Sequence, residues 1–214
     1  MELKLHIKLN LTKSEMKLTA KNIWFTSDTH YGHKNICRGV TNWKSEDPAA
    51  LIAATRDFPT LEIMNETIVS NINSVVAEDD WLIHLGDWSF GGIENIDAFR
   101  DQIACKNIVL ILGNHDHHIE ADKFRIRTAF THVAHYEELS VNEHKFILCH
   151  YPIISWNGMR KNTHMLHGHQ HLKGDAIFGQ GKRMDIGMDG SKEFRPYHVE
   201  EVVDLLKDRI SIEP

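Results

Sequence analysis

Five separated groups of side chains in this 214-residue sequence carry atoms that bind transition metals. They combine carboxylates, one carboxamide and several of the chain's 16 imidazoles. The groups are Asp28 with His30, Asp87, Asn114 with His115, His150, and His169 with His171. Mixed oxygen and nitrogen ligands suit Mn, Fe, Co, Ni or Zn better than Ca or Mg, which prefer oxygen shells. One ion would be oversupplied, so the sequence predicts two divalent transition-metal ions.

The spacing within two of the groups favours shared binding. Asp28 and His30 are separated by one residue, as are His169 and His171. In an extended segment, side chains two positions apart point the same way. We therefore expect each pair to be able to reach one ion together.

Apolar runs with bulky and β-branched residues precede these groups. Residues 23–26, 81–83, 108–112 and 146–149 read as strands, and each run is followed by a metal-competent residue. The metal-binding side chains are therefore expected at strand ends.

Helical spacing occurs between and after these strands. Apolar residues recur at three- and four-residue steps from Leu61 to Val75, and residues 93–104 and 199–209 read as further helices. Residues 37–60, with two prolines, read as a surface excursion or a short helix.

The remaining pattern indicates hairpins and an N-terminal strand. Residues 139–149 read as two strands joined through Asn142 and Glu143, and alternation from Leu3 to Leu11 predicts a strand with one wet face. We predict an α/β (α+β) fold, a four-layer sandwich of two mixed sheets flanked by helices. Residues 1–214 are expected to form a single domain, with 1–21 as an N-terminal strand extension.

Composition excludes several classes of protein. The formal net charge of -6 weighs against coating of long nucleic acids. Three separated cysteines without a CxxC pair indicate neither a disulfide framework nor a thiolate zinc site. The sequence contains no run typical of a signal peptide or membrane span, so we expect a cytoplasmic protein without membrane contacts.

The five groups, taken in order, resemble the signature of the calcineurin-like metallophosphoesterases, which reads D-x-H, G-D, G-N-H-D/E, H and G-H-x-H. The matching pieces are Asp28-Thr29-His30, Gly86-Asp87, Gly113-Asn114-His115-Asp116, His150, and Gly168-His169-Gln170-His171. Each piece alone is a weak signal, but five in order at strand ends are specific. The resemblance covers residues 23–190 and implies the metallophosphoesterase fold.

The resemblance also implies a role for each residue. The implied ligands are Asp28, His30 and His171 for a first ion, Asn114, His150 and His169 for a second, and Asp87 as the bridge between them. His115 would lie beside the ions without binding either, and would protonate the leaving oxygen or hold a phosphate oxygen. Asp116 would orient that imidazole. Manganese is the favoured metal.

The implied activity is hydrolysis of a phosphate ester by a metal-bridging hydroxide that attacks in line. A small phosphodiester is favoured over a phosphomonoester, with nucleotides among the candidate substrates and no obligatory protein partner. A nuclease acting on DNA or RNA is one alternative, supported by local basic residues such as Lys34 and Arg160. A non-catalytic scaffold is the other, although all the implied ligands and His115 are present.

Other residues near the motifs are open to two interpretations. His33 could touch phosphate, although a surface or hydrogen-bonded role is favoured. For His117 and His118 we favour a structural role. His84 is expected to be an ordinary surface or packing residue. Four aromatic residues could form either a substrate rim or ordinary core, namely Trp88, Phe90, Tyr151 and Trp156.

Overall fold

The computed structural model describes residues 15–18, 22–122, 127–173, 177 and 179–210, and in 15–18 only the backbone. The strands in this part of the chain are β1 Glu15–Leu18, β2 Ile23–Thr26, β3 Trp81–His84, β4 Asn107–Ile111, β5 His132–Ala134, β6 Tyr136–Val141, β7 His144–Cys149, β8 His164–His167, β9 Arg183–Asp185 and β10 Tyr197–His198. The four strands predicted before the metal-binding groups are all found. The strand predicted from Leu3 to Leu11 lies outside the described residues.

Ten strands form two five-stranded sheets within the described ranges. One sheet has the order β10-β2-β3-β4-β5, with only β10 antiparallel to its neighbour. The other has the order β1-β6-β7-β8-β9, with only the β6-β7 pair antiparallel. The predicted hairpin is this pair, and the prediction of two mixed sheets flanked by helices is confirmed.

Alternation along the parallel strands divides the apolar residues between two cores. On β3, Trp81 and Ile83 face the core between the sheets, where they join Phe25 and Phe146. Leu82, between them in sequence, faces the opposite core. Because both faces of β3 are covered, the strand is apolar along its length, as buried parallel strands are.

Helices cover the outer face of the first sheet. The α-helices of the described residues are α1 Pro48–Ala54, α2 Leu61–Val75, α3 Ile93–Gln102, α4 His117–Ala121 and α5 Val199–Leu205. Met64, Ile68 and Ile72 form the buried stripe of α2, as their spacing predicted. Ile96 and Phe99 of α3 join them beneath the sheet. The region around α1 confirms a short helix within residues 37–60.

Capping residues explain where two of these helices begin. The Asp47 carboxylate accepts a hydrogen bond from the backbone of Ala49, with Pro48 at the first helical position. The Thr60 hydroxyl accepts from the backbone of Ile63 at the start of α2. The Asp47 cap starts a helix within the excursion that connects β2 to α2, and the Thr60 cap ends that excursion.

A smaller apolar cluster covers the second sheet on its outer side. Ile147 and Met165 from β7 and β8 pack against Trp156 and Met159. The Trp156 indole donates a hydrogen bond to the carbonyl of Thr163 at 3.0 Å. In the described part of the chain, none of the helices combines the length and the hydropathy that a bilayer crossing requires.

Candidate metal centre

The five groups predicted from the sequence converge at the carboxyl ends of parallel strands. Asp28 and His30 follow β2, Asp87 follows β3, and Asn114 follows β4 in the first sheet. From the second sheet, the ligand candidates follow β7 and β8. They are His150, His169 and His171. The site therefore lies where the same ends of both sheets meet.

A first set of ligand atoms gathers around His30. Its Nε2 atom lies 3.1 Å from Nε2 of His171, 3.4 Å from Oδ2 of Asp87 and 3.9 Å from Oδ1 of Asp28. His171 Nε2 is 3.6 Å from the same Asp28 oxygen. Together these atoms form a first cluster with room for a cation at its centre.

A second set gathers around the carboxamide of Asn114. Oδ1 of Asn114 lies 3.1 Å from Nε2 of His150 and 3.0 Å from Nδ1 of His169. Nε2 of His150 is 3.5 Å from Oδ2 of Asp87. The Asp87 carboxylate therefore faces both sets, which the structure arranges side by side.

His115 lies at the edge of the first set. Its backbone amide donates to Oδ1 of Asp87 at 2.8 Å, and its ring centroid is 5.2 Å from that of His30. One nitrogen of its ring lies within 4.8 Å of ligand atoms of His30 and Asp87. The imidazole is thus close enough to act on a group bound at the first set.

The donor chemistry of the two sets fits divalent cations. Asp28, Asp87, His30 and His150 are each at most 2% exposed, and burying carboxylates without a compensating cation is costly. Neighbouring ligand atoms stand 3.0 to 3.9 Å apart within the sets. Bonds of about 2.1 Å to a shared ion would give separations of roughly 3.0 to 3.4 Å.

Electrostatics around the first set agree with this fit. Burial, assisted by the charges of His171 and Arg56, holds the pKa of His30 well below its usual range, so its imidazole is neutral and able to bind a metal. Burial raises the pKa of Asp28 to about 6 against the opposing effect of His171. A bound cation would favour the ionised carboxylate again.

The backbone at the site is left-handed rather than extended. Positive φ angles occur at Asp28 (55°), His30 (49°), Asp87 (56°), His169 (72°) and His171 (51°). The expectation of extended D-x-H and H-x-H segments is therefore wrong. Such residues each cost about 1–2 kcal/mol, a cost typically tolerated at functional sites.

The two histidines of the last motif serve different sets. His171 turns to His30 and Asp28, whereas His169 turns to Asn114. The backbone amide of His169 also donates to both oxygens of Asp28, at 3.1 and 3.0 Å. The H-x-H motif therefore spans the two sets instead of supplying both members to one ion.

Hydrogen bonds on the far side of two rings determine which nitrogen faces the site. His150 donates from Nδ1 to the carbonyl of Leu85 at 2.7 Å, and His171 donates from Nδ1 to Oδ2 of Asp189 at 2.8 Å. In the neutral form of each ring, the nitrogen without a proton is therefore Nε2, and it faces the centre. Burial acts to raise the pKa of Asp189, but Arg56 and the hydrogen bond from His171 outweigh it and hold that pKa below its usual range.

Asp116 has a different role from the one expected. Its carboxylate accepts hydrogen bonds from the backbone amides of Asp87, Trp88 and Gly113, at 2.8 to 2.9 Å. It therefore fixes the loop that carries Asp87, and the expectation that it orients the imidazole of His115 is corrected. Three amide donors satisfy this buried side chain and leave it turned toward the loop.

His84 joins the first two motif loops from behind. Its Nε2 donates to the Thr29 hydroxyl at 2.9 Å, and its Nδ1 accepts from the Gly86 amide at 3.2 Å. The Thr29 hydroxyl in turn donates a hydrogen bond to the carbonyl of Trp88 at 2.6 Å. Burial lowers the pKa of His84 to about 3, which keeps the ring neutral and able to do both.

One glycine of the motifs is required by close approach. A Cβ atom on Gly168 would collide with the side chains of Ser27 and Asp28. Gly168 therefore lets the last motif loop lie directly against the first.

The aromatic residues beside the motifs divide into core and rim. Trp88 is fully buried beside α3, and Trp156 is 7% exposed under the second sheet, so neither lies at the site. Phe90 and Tyr151 remain 37% and 45% exposed. Phe90 contacts the rings of His33 and His115, whereas Tyr151 contacts those of His150 and His169.

His33 is part of the site wall and not a surface residue. It is 7% exposed and stacks on Phe90 with ring centroids 3.9 Å apart. Its ring centroid is 5.1 Å from that of His30. Of the favoured surface or hydrogen-bonded roles, the surface position is corrected, because His33 is buried behind Phe90.

Two residues near the first set were not predicted from the sequence. Asp189, which bonds to His171, follows β9 in the short run Met188-Asp189-Gly190, a strand-end position that resembles the other motifs. Arg56 is buried against Asp189 but lies 133 positions earlier in the chain. No local pattern marks it.

Comparisons with known proteins agree with the motifs. The model of the family described as calcineurin-like phosphoesterase matches residues 21–208. An uncharacterised protein of Methanocaldococcus jannaschii is 27% identical over 195 residues, covering 89% of this chain and 94% of that protein. The gene 66 protein of Mycobacterium phage D29 is 24% identical over 213 residues, covering 87% of this chain and 96% of that protein.

A solved structure agrees with the fold. A protein of unknown function from Aquifex aeolicus superposes with a TM-score of 0.59 at 20% identity, covering 86% of this chain and 98% of that chain. The match across residues 21–208 indicates hydrolysis of phosphate esters, and the converging motif residues could hold the divalent metal ions that this family uses. The chain belongs to the calcineurin-like phosphoesterase family.

Proposed function

We propose that this protein is a phosphodiesterase with a dinuclear metal centre. The proposal rests chiefly on one observation, the position of Asp87 between two sets of ligand atoms. Its Oδ2 atom is 3.4 Å from His30 and 3.5 Å from His150, which belong to different sets. One carboxylate would thereby serve two ions. The proposed ligands are Asp28, His30 and His171 for the first ion, Asn114, His150 and His169 for the second, and Asp87 for both.

Two ions held in this way would activate a water molecule and offset negative charge on the phosphoryl group. The protein's part is to hold the ligands in fixed orientations, which the hydrogen bonds of His150 and His171 support. Asn114 and His169 are exposed, so the second set opens toward solvent and toward an incoming ester.

His115 is the proposed proton donor to the leaving oxygen. Its backbone is fixed by the hydrogen bond to Asp87, and its ring lies between Phe90 and His30. A positioned imidazole can transfer a proton near neutral pH. Its place at the edge of the first set supports this role better than that of a further ligand.

A diester is favoured over a monoester because exposed rings adjoin both ligand sets. Phe90 lies beside His115, and Tyr151 lies beside His169 with ring centroids 4.8 Å apart. A diester carries an organic group on each side of phosphorus, and each ring offers an apolar surface for one of them. A monoester would use only one.

Manganese is the metal proposed first, with Fe, Co, Ni and Zn as the alternatives. The proposed ligands are carboxylates, a carboxamide and imidazoles, with no thiolate among them. Sets with equal numbers of oxygen and nitrogen donors and no sulfur are compatible with Mn, whereas thiolates would select Zn more strongly.

The test is a substrate screen with metal-free protein reloaded separately with Mn, Co, Ni, Fe(II) or Zn. The substrates are bis-p-nitrophenyl phosphate, p-nitrophenyl phosphate, cyclic nucleotides, and single-stranded DNA and RNA. Faster turnover of bis-p-nitrophenyl phosphate than of p-nitrophenyl phosphate is expected. The reverse order would overturn the diester preference, and cleavage of nucleic acid alone would favour the nuclease. Absence of turnover with every metal would favour a binding scaffold.

A further inference from the structure

Arg56 is a guanidinium buried directly behind the first ligand set, with a relative exposure of 2%. Its Nη1 donates to the carbonyl of Thr29 at 2.9 Å, and its Nη2 donates to the carbonyl of Asp28 at 2.6 Å. Nε and Nη2 also donate to the two oxygens of Asp189, at 3.1 and 2.6 Å. The side chain is therefore held by two carbonyls and a bidentate carboxylate.

This degree of burial is unusual for an arginine in a connecting segment. A buried ion pair contributes little net stability compared with apolar residues of similar size, because both charges must leave water. The planar fork of arginine, however, fixes its partners in direction as well as distance. The arrangement is thus better suited to orienting neighbouring groups than to stabilising the fold.

The first group that it orients is the imidazole of His171. Oδ2 of Asp189 accepts from Nδ1 of His171 at 2.8 Å and also accepts from Nη2 of Arg56. Because Asp189 is fixed by the guanidinium, His171 is held in the tautomer that leaves Nε2 free of a proton. That nitrogen then faces Asp28 and His30, at 3.6 and 3.1 Å.

The second group is the backbone at Asp28. This residue has a φ of 55°, in the left-handed region, which aspartate adopts more readily than most residues but still at a cost relative to a right-handed or extended backbone. Arg56 binds the carbonyls of Asp28 and of the following Thr29, so it holds the turn that aims the Asp28 carboxylate. One side chain thereby acts on two ligands of one set.

The segment that carries Arg56 is itself attached to the site. Arg56 bonds through its backbone to Ile36 and Arg38. Lys173, two residues after His171, donates to the carbonyls of Ile52 and Thr55 at the end of α1. The excursion is thus attached both to the loop after β2 and to the loop after β8.

We propose that Arg56 is a positioning residue that prepares the first metal position, acting through Asp189 on His171 and through two carbonyls on Asp28. This proposal rests on the proposed function only in taking that set as a metal site. No comparable contact of Arg56 reaches Asn114, His150 or His169 among the described residues, so the second position is expected to be independent of it.

The test is a titration of metal-free protein with Co²⁺, followed by visible absorption and by calorimetry. The variants are Arg56→Lys, which keeps the charge and loses the fork, and Asp189→Asn, which keeps the shape and loses the carboxylate. Each is expected to weaken one of two binding steps by roughly 10- to 100-fold and to change its absorption bands. The other step stays as in the unsubstituted protein.

A matched control is Arg100→Lys. Arg100 is also partly buried and donates to the carbonyls of Ala129 and Ile103, remote from the ligand sets. It is expected to leave both steps unchanged. Circular dichroism of the metal-free variants verifies folding, and if Arg56→Lys does not fold, Asp189→Asn alone decides.

The outcomes separate this proposal from the proposed function. Two unaltered binding steps in folded Asp189→Asn protein would overturn the positioning role. Equal weakening of both steps would also overturn it, because it predicts an effect on one position. If the unsubstituted protein shows two binding steps but turns over no ester, the proposed phosphodiesterase activity is overturned. Weakening of one step in the variants would then still support the role of Arg56.

Discussion

Nδ1 of His150 donates a hydrogen bond to the carbonyl of Leu85 at 2.7 Å. This bond joins the end of β7 in one sheet to the end of β3 in the other. Asp87 lies two residues after Leu85, and its carboxylate faces Nε2 of the same imidazole. The contact therefore holds a candidate ligand of the second set in register with the carboxylate shared by both sets.

We predict that Asp87→Asn weakens binding of both metal ions and lowers turnover by more than about 100-fold, beyond the cost typical of losing an outer-shell partner. The amide loses the negative charge that both ions would share, while its oxygen can still accept from the amide of His115. Metal content measured by mass spectrometry, together with calorimetry, checks this. Retention of one ion at its original affinity would contradict the bridging role.

The substitution His115→Ala is expected to preserve metal content and lower turnover by about 10²- to 10⁴-fold. The loss should be larger for an alcohol leaving group than for p-nitrophenolate, because the poorer leaving group depends more on protonation. His117→Ala, at an exposed neighbouring position, is the control. Loss of a metal ion from the His115 variant would show that the imidazole is a ligand.

Tyr151→Ala should raise KM for bis-p-nitrophenyl phosphate about 5-fold, as expected from loss of about 1 kcal/mol of ring contact. KM for p-nitrophenyl phosphate should change less, since a monoester has one organic group. Ile154→Ala alters an 86% exposed side chain nearby and is the matched control. Equal effects on both esters would argue against the use of Tyr151 by the second group of a diester.

Acid stability is predicted to depend on His164, far from the metal centre. Burial lowers its pKa to about 4, while its Nδ1 donates to the carbonyl of Lys145 at 3.2 Å and its buried Nε2 has no hydrogen-bond partner among the described residues. Between pH 6.5 and 4 the unfolded chain binds the extra proton, so stability falls as pH falls through this window. From pH 7.5 to 5 this residue accounts for about 2 kcal/mol of the loss.

His164→Leu should therefore reduce the drop in unfolding free energy between those two pH values. Urea denaturation of the metal-free protein at each pH measures it. His135→Leu, which replaces a 66% exposed side chain, is the comparison. If the two variants lose stability equally between pH 7.5 and 5, the neutral buried state of His164 is refuted.

Much of the fold followed from sequence because its signals are local. Apolar residues four positions apart over the length of α2 predict a helix, and the short apolar runs before Asp28 and Asp87 have the length of strands. The two sheets followed from the order of these elements. The limits of the fold prediction lie at connections, where the extent of α3 and the course of residues 37–60 depend on tertiary contacts.

The convergence of the motif side chains was also predicted, but the left-handed backbone conformation of several of these residues was not. Extended geometry would turn His169 and His171 the same way, whereas left-handed φ angles turn them toward different sets. Arg56 could not be anticipated, because its partner Asp189 is distant in sequence and no local pattern marks the arginine. Trp88 is buried because it packs on Phe99 of α3 and on Phe130, and these contacts cannot be read from its position two residues before the exposed Phe90.

Both ligand sets draw side chains from both sheets, so the apolar filling between the sheets has a chemical consequence. Phe25 and Phe146 meet there with ring centroids 5.3 Å apart. A change in the volume of such residues would alter the gap between the sheets and hence the distance between the two ligand sets. Selectivity for one metal over another can therefore evolve through interior substitutions that touch neither ion nor ester.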